Sequence, residues 1–179
     1  MSFFEKKISG ERKYSGFIVN VRKDIAEVQN GHRVVREVVE HPGGVAVVPV
    51  DADGNVLMVR QFRYPFSCEL LEIPAGKLEP GESPEACARR ELSEETGCRA
   101  GRLIDLGAMY PSPGFCEEIL YVYLATDLVF GESHPDEDEF LSVERYPLDE
   151  ICSQIMENKV PDGKTVFGVL KARLLLDRQ

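Results

Sequence analysis

The sequence predicts an α/β (α+β) fold in which helices cover a mixed central β-sheet. Residues 14–72 form a series of short apolar runs rich in β-branched residues, a well-marked helix follows, and further strands and two helices complete the chain. Strands and helices in this order are typical of a mixed sheet with helices packed on it. The 179 residues, 43% of them hydrophobic, are enough to bury one core, so we expect a single domain over residues 1–179.

Five strands are expected before the first helix, because β-branched residues and apolar/polar alternation favour extended structure. They cover residues 16–21, 34–40, 43–50, 56–63 and 70–73. The segment 51–55 contains Asp53-Gly54 and should form a hairpin turn, since this pair tolerates the positive φ that such turns need. Residues 41–44, with Pro42 and two glycines, indicate a second turn on the same grounds.

The clearest helix signal covers residues 84–96. Ser83 is a good N-cap, Pro84 suits the first helical position, and Gly97 suits the left-handed residue after the last turn. The remaining elements are expected to be strands at 103–109, 119–126 and 141–146 and helices at 149–157 and 165–177, the last capped by Thr165. The irregular loops 110–118 and 131–139 break this pattern, and loops of this kind often carry a functional site.

Composition excludes several classes of function. With 21 Lys+Arg against 31 Asp+Glu, the net charge of −10 repels nucleic-acid backbones and anionic membrane surfaces. The N-terminal residues lack the apolar stretch of a secretory signal, and no run approaches the roughly 18–20 apolar residues that cross a bilayer. We therefore expect a soluble cytoplasmic protein without nucleic-acid or membrane partners.

Cysteine and histidine spacing restricts the choice of metal. The five cysteines form no CxxC pair, which is typical of a reducing compartment, and the three histidines are scattered without the spacing of a zinc site. Any metal must then be held by oxygen ligands, which favours magnesium or manganese.

Carboxylates crowd on the predicted helix 84–96. Glu91 and Glu95 are i, i+4 neighbours on one face, and Glu94 lies one residue round. Each like-charged pair costs about 0.2–0.5 kcal/mol, which a bound divalent cation would more than offset. On spacing alone, a Glu-rich face is more often a solvated surface than a metal site. Glu82, just before the helix, is expected to fix the loop rather than to react.

The segment 76–98 resembles the Nudix box, G-x5-E-x7-R-E-U-x-E-E-x-G-U, in which U is aliphatic. The fixed positions that match are Gly76, Glu82, Arg90, Glu91, Leu92, Glu94, Glu95 and Gly97. Cys98 stands at the last aliphatic position, where a small apolar side chain can fill a core pocket. The resemblance implies a Nudix-like α/β/α sandwich and a metal-dependent hydrolase that cleaves a diphosphate linked to a further moiety.

The same resemblance implies roles for the box residues. Glu91 and Glu95 would be the principal metal ligands, Glu94 a supporting ligand with a catalytic role, and the carbonyl of Ala75 a backbone ligand. Arg90 would also be a catalytic residue, because it would orient the carboxylates through charge-assisted hydrogen bonds. The implied cofactor is Mg²⁺ or Mn²⁺, which neutralises phosphate charge and lowers the pKa of a bound water.

Segments outside the box resemble the ADP-ribose pyrophosphatase-like branch of the family, from about residue 14 onward. They are residues 59–64, 70–79 and 110–115. The resemblance implies substrate-binding roles for Arg36, Glu37, Arg63, Ser112, Pro113, Gly114 and Glu118. Pro113-Gly114 is also the sequence of a simple tight turn, and Arg63 could equally form a surface ion pair or contact a diphosphate through its planar fork.

The acidic segment 134–139 lies where this branch supplies its general base. The resemblance implies Glu137 as the base and Glu139 as a further metal ligand, and a register shift of two residues would exchange these roles. Without the resemblance, a charge run of this kind is usually a solvated surface.

The expected function is Mg²⁺-dependent hydrolysis of ADP-ribose to AMP and ribose 5-phosphate. The enzymatic alternatives are another nucleoside diphosphate sugar, such as GDP-mannose or ADP-glucose, and a nucleoside triphosphate, because the box is common to all of them. A non-catalytic nucleotide-binding module is the alternative from another class, and metal-dependent turnover separates it from an enzyme. The resemblance also implies a homodimer in which the N-terminal strands, about residues 1–42, take part.

Overall fold

The computed structural model describes residues 3–134 and 140–178 and divides the chain into two compact units. The larger unit comprises Gly44–Met109 and the chain from Leu120 onward, and the smaller one comprises the chain up to Gly43 together with Tyr110–Ile119. The sequence-based expectation of one domain stays a prediction, and the two units are described separately below.

The larger unit contains seven strands, three α-helices and one turn of 3₁₀-helix at Tyr64–Phe66 among its described residues. Its strands are β4 (Gly44–Pro49), β5 (Asn55–Arg63), β6 (Cys68–Glu72), β7 (Ala75–Lys77), β8 (Cys98–Met109), β9 (Leu120–Phe130) and β10 (Leu141–Pro147). Its helices are α1 (Pro84–Thr96), α2 (Leu148–Met156) and α3 (Gly163–Leu176).

The strands of this unit form two sheets. One is a mixed four-stranded sheet in the order β7-β4-β9-β8, in which β4 and β9 are parallel and the other pairs antiparallel. The other is an antiparallel sheet in the order β10-β5-β6. The predicted α+β class with a mixed sheet is confirmed.

Strand β4 lies at the centre of the larger unit, because all six of its residues are buried. Ala46 and Val48 belong to an apolar cluster that includes residues of α2 and α3, whereas Val45 and Val47 pack in a second cluster with Leu92 of α1. Successive side chains of a strand point to opposite faces. The sheet is therefore covered by helices on its two faces, which is the predicted α/β/α arrangement.

The smaller unit is built on an antiparallel sheet in the order β1-β2-β3, with strands β1 (Glu5–Ser15), β2 (Asn20–Val28) and β3 (Arg33–Glu40). Every residue of β1 is exposed. The segment Tyr110–Ile119 joins β3 through a parallel bridge between Val39 and Cys116.

Strand β1 was not predicted, and the strand expected at 16–21 was misplaced. The sequence of β1, EKKISGERKYS, is mostly polar, so a search for apolar alternation does not detect it. Backbone pairing with β2 holds it in place. Residues 16–19 form the connecting turn, in which the amide of Gly16 donates to the carbonyl of Val19 at 3.0 Å.

The predicted turn between β4 and β5 is confirmed and both predicted strands form, but the two strands do not pair as a hairpin. Gly54 has a φ of +80°, and its amide donates to Asp51 as expected. The two strands, however, share only the bridge between Val50 and Val56 before they enter different sheets. They separate because β7 and β9 already occupy the two edges of β4.

The last helix begins two residues earlier than predicted. Asp162, not Thr165, is the N-cap, and its carboxylate accepts from the amide of Thr165 at 3.0 Å. The Thr165 hydroxyl donates to Asp162 and accepts from the amide of Ile73, and the residue is fully buried. Within the described residues, no helix is both long and apolar enough to cross a lipid bilayer.

Helix α3 approaches the sheet closely at Gly168. A Cβ atom there would lie 2.9 Å from Val48 Cγ2 and 3.0 Å from Ile73 Cδ1. Gly168→Ala should therefore lower the free energy of unfolding by about 1–2 kcal/mol despite the better helix propensity of alanine. Gly163→Ala is the matched control, because it lies in the same helix with open space around it and should be neutral or slightly stabilising. Urea unfolding measures both variants, and equal stabilities would contradict the close packing.

Candidate active site

Helix α1 forms as its sequence predicts. The Ser83 hydroxyl accepts from the amide of Ala86 at 3.3 Å, Pro84 occupies the first turn, and Gly97 adopts the left-handed conformation with a φ of 70°. Glu91 and Glu95 lie on its buried face together with Leu92. The helix thus carries two carboxylates into the interior, where a charge needs a compensating partner.

Arg90 links the acidic residues of this region. Its Nε and Nη2 each donate to Glu82 at 2.9 Å, and its Nη1 donates to Glu91 at 2.7 Å and to Glu94 at 2.9 Å. Nη2 also donates to the carbonyl of Lys77 at 3.2 Å. All three nitrogens of the guanidinium are therefore engaged, and three carboxylates are held around one cation.

Glu82 is fixed by this contact. Hydrogen bonding to Arg90 lowers the pKa of Glu82 from its ordinary value of 4.5 to about 2. Glu82 Oε2, which accepts from Arg90 Nη2, also accepts from the amide of Glu79 at 3.1 Å. Glu82 therefore closes the loop before α1. These contacts agree with the structural role that its position suggests.

Two backbone positions of β7 meet the buried carboxylates. A Cβ atom on Gly76 would lie 1.8 Å from the carboxyl carbon of Glu91, so only glycine allows that carboxylate to lie against the strand. The amide of Ala75 donates to Glu95 Oε2 at 3.2 Å. Ala75, Glu91 and Glu95, three of the predicted ligand positions, are thus brought together, with Glu94 joined to them through Arg90.

The oxygen donors here fit a small hard cation. Carboxylates and carbonyls are the ligands that Mg²⁺ and Mn²⁺ prefer, and Mg²⁺ is usually held by one or two carboxylates together with water and substrate phosphates. In the described part of the chain, no three His, Cys, Asp or Glu side chains form a preassembled metal cluster. The fit therefore rests on Glu91 and Glu95, which are 8% and 2% exposed, beside the backbone of β7.

Arg63 lies at the end of β5 and makes a bidentate ion pair with Glu72 of β6. Its Nε donates to Glu72 Oε1 at 2.7 Å and its Nη2 donates to Oε2 at 2.6 Å. Lys164, in the first turn of α3, also donates to Glu72 Oε2 and to Asp162 at 3.0 Å. Sequence analysis missed Glu72 and Lys164. For Glu72, the signal that could have found it is that it is the single acidic residue within the apolar run 70–73.

The end of α1 is joined to the beginning of the acidic segment. The amide of Gly131 donates to the carbonyl of Gly97 at 2.8 Å, and the amide of His134 donates to the carbonyl of Glu94 at 2.9 Å. A Cβ atom on Gly97 would lie 2.6 Å from the carbonyl oxygen of Gly131. Glu137 and Glu139, the predicted base and additional ligand, lie outside the described residues.

The remaining predicted substrate-binding residues lie in the smaller unit. Arg36 is exposed on β3 and pairs with Glu5 of β1, Nε and Nη2 donating at 2.9 and 2.6 Å, while Glu37 is exposed beside it. The carbonyl of Ser112 accepts from the amides of Phe115 and Cys116, which closes the turn at Pro113-Gly114. Glu118 is half-buried, and one of its carboxylate oxygens is 3.7 Å from His41 Nδ1.

Comparison with known proteins identifies the family. A model of the NUDIX domain matches residues 40–167, which include α1 and the residues that surround it. The chain belongs to the NUDIX family.

Individual relatives of this NUDIX chain cover nearly its whole length. An ADP-ribose pyrophosphatase of Bacillus subtilis (strain 168) is 44% identical over 170 residues, which span 94% of this chain and 92% of the relative. A methanol dehydrogenase activator of Bacillus methanolicus is 42% identical, with coverage of 93% and 91%. A crystal structure of an ADP compounds hydrolase superposes with a TM-score of 0.86 at 25% identity and covers 98% of this chain and 95% of that one.

The Arg90–Glu82 contact predicts a pH-dependent contribution to stability. Because the pKa of Glu82 is lowered in the folded state, its contribution is present above pH 4.5 and is lost as the pH falls toward about 2. Glu82→Gln should therefore be less stable than the unaltered chain at pH 7, and the difference should shrink as the pH falls below 4.5.

Urea unfolding between pH 7 and the lowest pH at which the chain stays folded measures this difference. Glu85→Gln is the matched control, because Glu85 also pairs with an arginine of α1 but is 61% exposed. An exposed i, i+4 pair contributes only about 0.3–0.5 kcal/mol, so this control should change little at any pH. If Glu82→Gln lowers the free energy of unfolding by the same amount at every pH, the lowered pKa of Glu82 is contradicted.

Proposed function

We propose that this NUDIX chain hydrolyses ADP-ribose to AMP and ribose 5-phosphate with Mg²⁺ as its cation. Water adds to one phosphorus of the diphosphate, and the bond from that phosphorus to the bridging oxygen breaks. The observation that carries the proposal is the placement of the buried carboxylates of Glu91 and Glu95 against β7, with Arg90 bound to Glu91 and Glu94, in a chain 44% identical to an ADP-ribose pyrophosphatase.

The residues of α1 and β7 would hold the cation. Glu91, Glu95 and the carbonyl of Ala75 are the proposed ligands, and Glu94 supports them. Mg²⁺, when bound there, neutralises phosphate charge and lowers the pKa of a coordinated water. Arg90 holds the carboxylates in one arrangement, so less reorganisation is needed when substrate arrives.

Arg63 is the proposed contact for the diphosphate. Two of its nitrogens are used by Glu72, and Nη1 has no protein hydrogen-bond partner among residues 3–134 and 140–178. A guanidinium edge presents N–H groups in a geometry that suits phosphate oxygens. The role of base stays with Glu137 and that of additional ligand with Glu139, by resemblance alone.

The proposal includes the smaller unit and the assembly. Arg36 and Glu37 are proposed to reach the nucleoside of the substrate bound by the partner subunit of a dimer, and the turn at residues 112–114 and Glu118 are proposed to bind substrate, again by resemblance. A homodimer is proposed because strand β1 is exposed along its whole length, and sheet edges of that kind readily pair with another chain. The five cysteines are free thiols, which supports the proposed cytoplasmic location.

Product chromatography tests the function directly. The purified chain is incubated with ADP-ribose, GDP-mannose, ADP-glucose and a nucleoside triphosphate, each with Mg²⁺ or with EDTA. We expect AMP and ribose 5-phosphate from ADP-ribose at the highest rate in the panel and no products with EDTA, because the phosphate charge is then unneutralised.

Other results of this experiment overturn parts of the proposal. Faster turnover of another compound would retain metal-dependent hydrolysis but replace the substrate. Full activity with EDTA would exclude the metal role. No turnover of any compound would favour a nucleotide-binding module without catalysis.

Glu95→Gln tests the proposed ligand set. The substitution removes a buried anionic donor while keeping the shape of the side chain, so we expect kcat to fall by roughly a hundredfold or more, within the range that such electrostatic contributions reach. Glu85→Gln, on the exposed face of the same helix, should keep kcat within about twofold. Circular dichroism and urea unfolding establish that both variants fold, and near-normal kcat in folded Glu95→Gln would reject Glu95 as a ligand.

A further inference from the structure

Glu72 is a buried carboxylate for which the proposed chemistry has no direct use. It is 1% exposed at the end of β6, and it is bound by two cations, Arg63 and Lys164. Burial raises the pKa of Glu72, but the contacts with Arg63 and Lys164 outweigh that effect and bring it below its ordinary value. Glu72 is therefore an anion in the folded chain.

The two cations differ in exposure. The side chain of Lys164 is 11% exposed and lies between Glu72 and Asp162, so it is enclosed by its partners. The side chain of Arg63 is 38% exposed. Glu72 takes one edge of the guanidinium, formed by Nε and Nη2, and this leaves Nη1 on the other side. A bidentate pair fixes the plane of the guanidinium, which a single contact would not do.

The Arg63–Glu72 pair also lies near one carboxylate of α1, that of Glu95. Hydrogen bonding to Glu72 raises the pKa of Arg63, and the charges of Asp162 and Glu95 raise it further. The backbone that follows Glu72 leads to Glu95. The amide of Ile73 donates to the hydroxyl of Thr165, and the amide of Ala75 donates to Glu95. The orientation of Arg63 and the position of Glu95 thus depend on one short segment, residues 72–75.

We propose that Glu72 is a positioning residue for the diphosphate, acting through Arg63. By holding one edge of the guanidinium, it keeps the other edge directed toward the phosphates and removes the entropy cost of ordering a long side chain when substrate binds. The cluster contains two carboxylates, Glu72 and Asp162, and Lys164 supplies the second cation that neutralises them. Lys164 does this without contacting substrate. This inference rests on the proposed function, in which Arg63 contacts the diphosphate.

A double-mutant cycle with Glu72→Gln and Arg63→Ala tests it. If Glu72 acts through Arg63, Glu72→Gln should lower kcat/KM for ADP-ribose by about tenfold, mainly through KM, because the contact exists in the ground state and the transition state alike. Arg63→Ala should cost about a hundredfold, and the double variant should be no worse than Arg63→Ala alone.

The matched control is Glu144→Gln. Glu144 makes the same kind of pair with Arg60, whose Nε and Nη2 donate to it at 2.5 and 3.1 Å across β5 and β10. The contacts that shift the pKa of Arg60 are with Glu144 and Tyr146, not with the carboxylates of α1. Glu144→Gln should therefore leave KM within about twofold, since a partly exposed pair contributes little beyond local stability.

Three results would overturn the inference. They are an unchanged KM in Glu72→Gln, an equal rise in KM in Glu144→Gln, and losses that multiply in the double variant. If Glu72→Gln does not fold because two cations lose their shared anion, the Glu72→Gln/Lys164→Met variant takes its place. That variant removes one charge of each sign and must still show the raised KM.

Binding of inorganic pyrophosphate separates this inference from the proposed function. Its affinity, measured by calorimetry with Mg²⁺, requires no hydrolysis and no ADP-ribose. We expect Glu72→Gln to weaken this binding about tenfold and to have no further effect in the Arg63→Ala background. Failure to hydrolyse ADP-ribose would refute the proposed function alone. Equal pyrophosphate affinities in the unaltered chain and Glu72→Gln, or no binding to the unaltered chain, would refute the role of Glu72.

Discussion

The site depends on the contact of one guanidinium with three carboxylates. Glu82, Glu91 and Glu94 would repel one another at this spacing, and Glu91 is also removed from water. Arg90 makes the arrangement tolerable because each of its nitrogens donates to at least one of them. A single cation does not neutralise three anions, so the region keeps a surplus of negative charge. That surplus is what an incoming divalent cation would neutralise.

The backbone beside the helix is as restricted as its side chains. Glu91 can lie against β7 only because residue 76 has no Cβ, and Glu95 is held by the amide of Ala75. The amide of Val47 in the buried strand β4 donates to the carbonyl of Pro74 at 2.8 Å, so this segment is attached to the centre of the sheet. The carboxylates are therefore positioned by the core and not by the helix alone, which gives a site little freedom to rearrange.

Sequence predicted those features whose cause is local. Helix α1 was placed correctly at both ends because Ser83, Pro84 and Gly97 specify its limits within a few residues. Strand β1 was missed although it pairs with the next strand, β2, because its sequence is mostly polar and lacks apolar alternation. The separation of β4 from β5 was not predictable in this way, because β4 pairs with β7 and β9, which are more distant in the sequence. The contacts of Glu72 with Lys164 were missed for the same reason, since 92 residues separate them.

Two arginines of the site illustrate how the same group can serve different purposes. All three guanidinium nitrogens of Arg90 donate to protein oxygens, so Arg90 serves to hold the acidic residues together. Within the described part of the chain, Arg63 uses two nitrogens on one carboxylate, and its remaining nitrogen lies on a side chain that solvent reaches. An arginine that is fixed but not saturated can bind an anion with little further ordering. Counting occupied donors, rather than charges, therefore distinguishes the arginine that builds the site from the one suited to bind substrate.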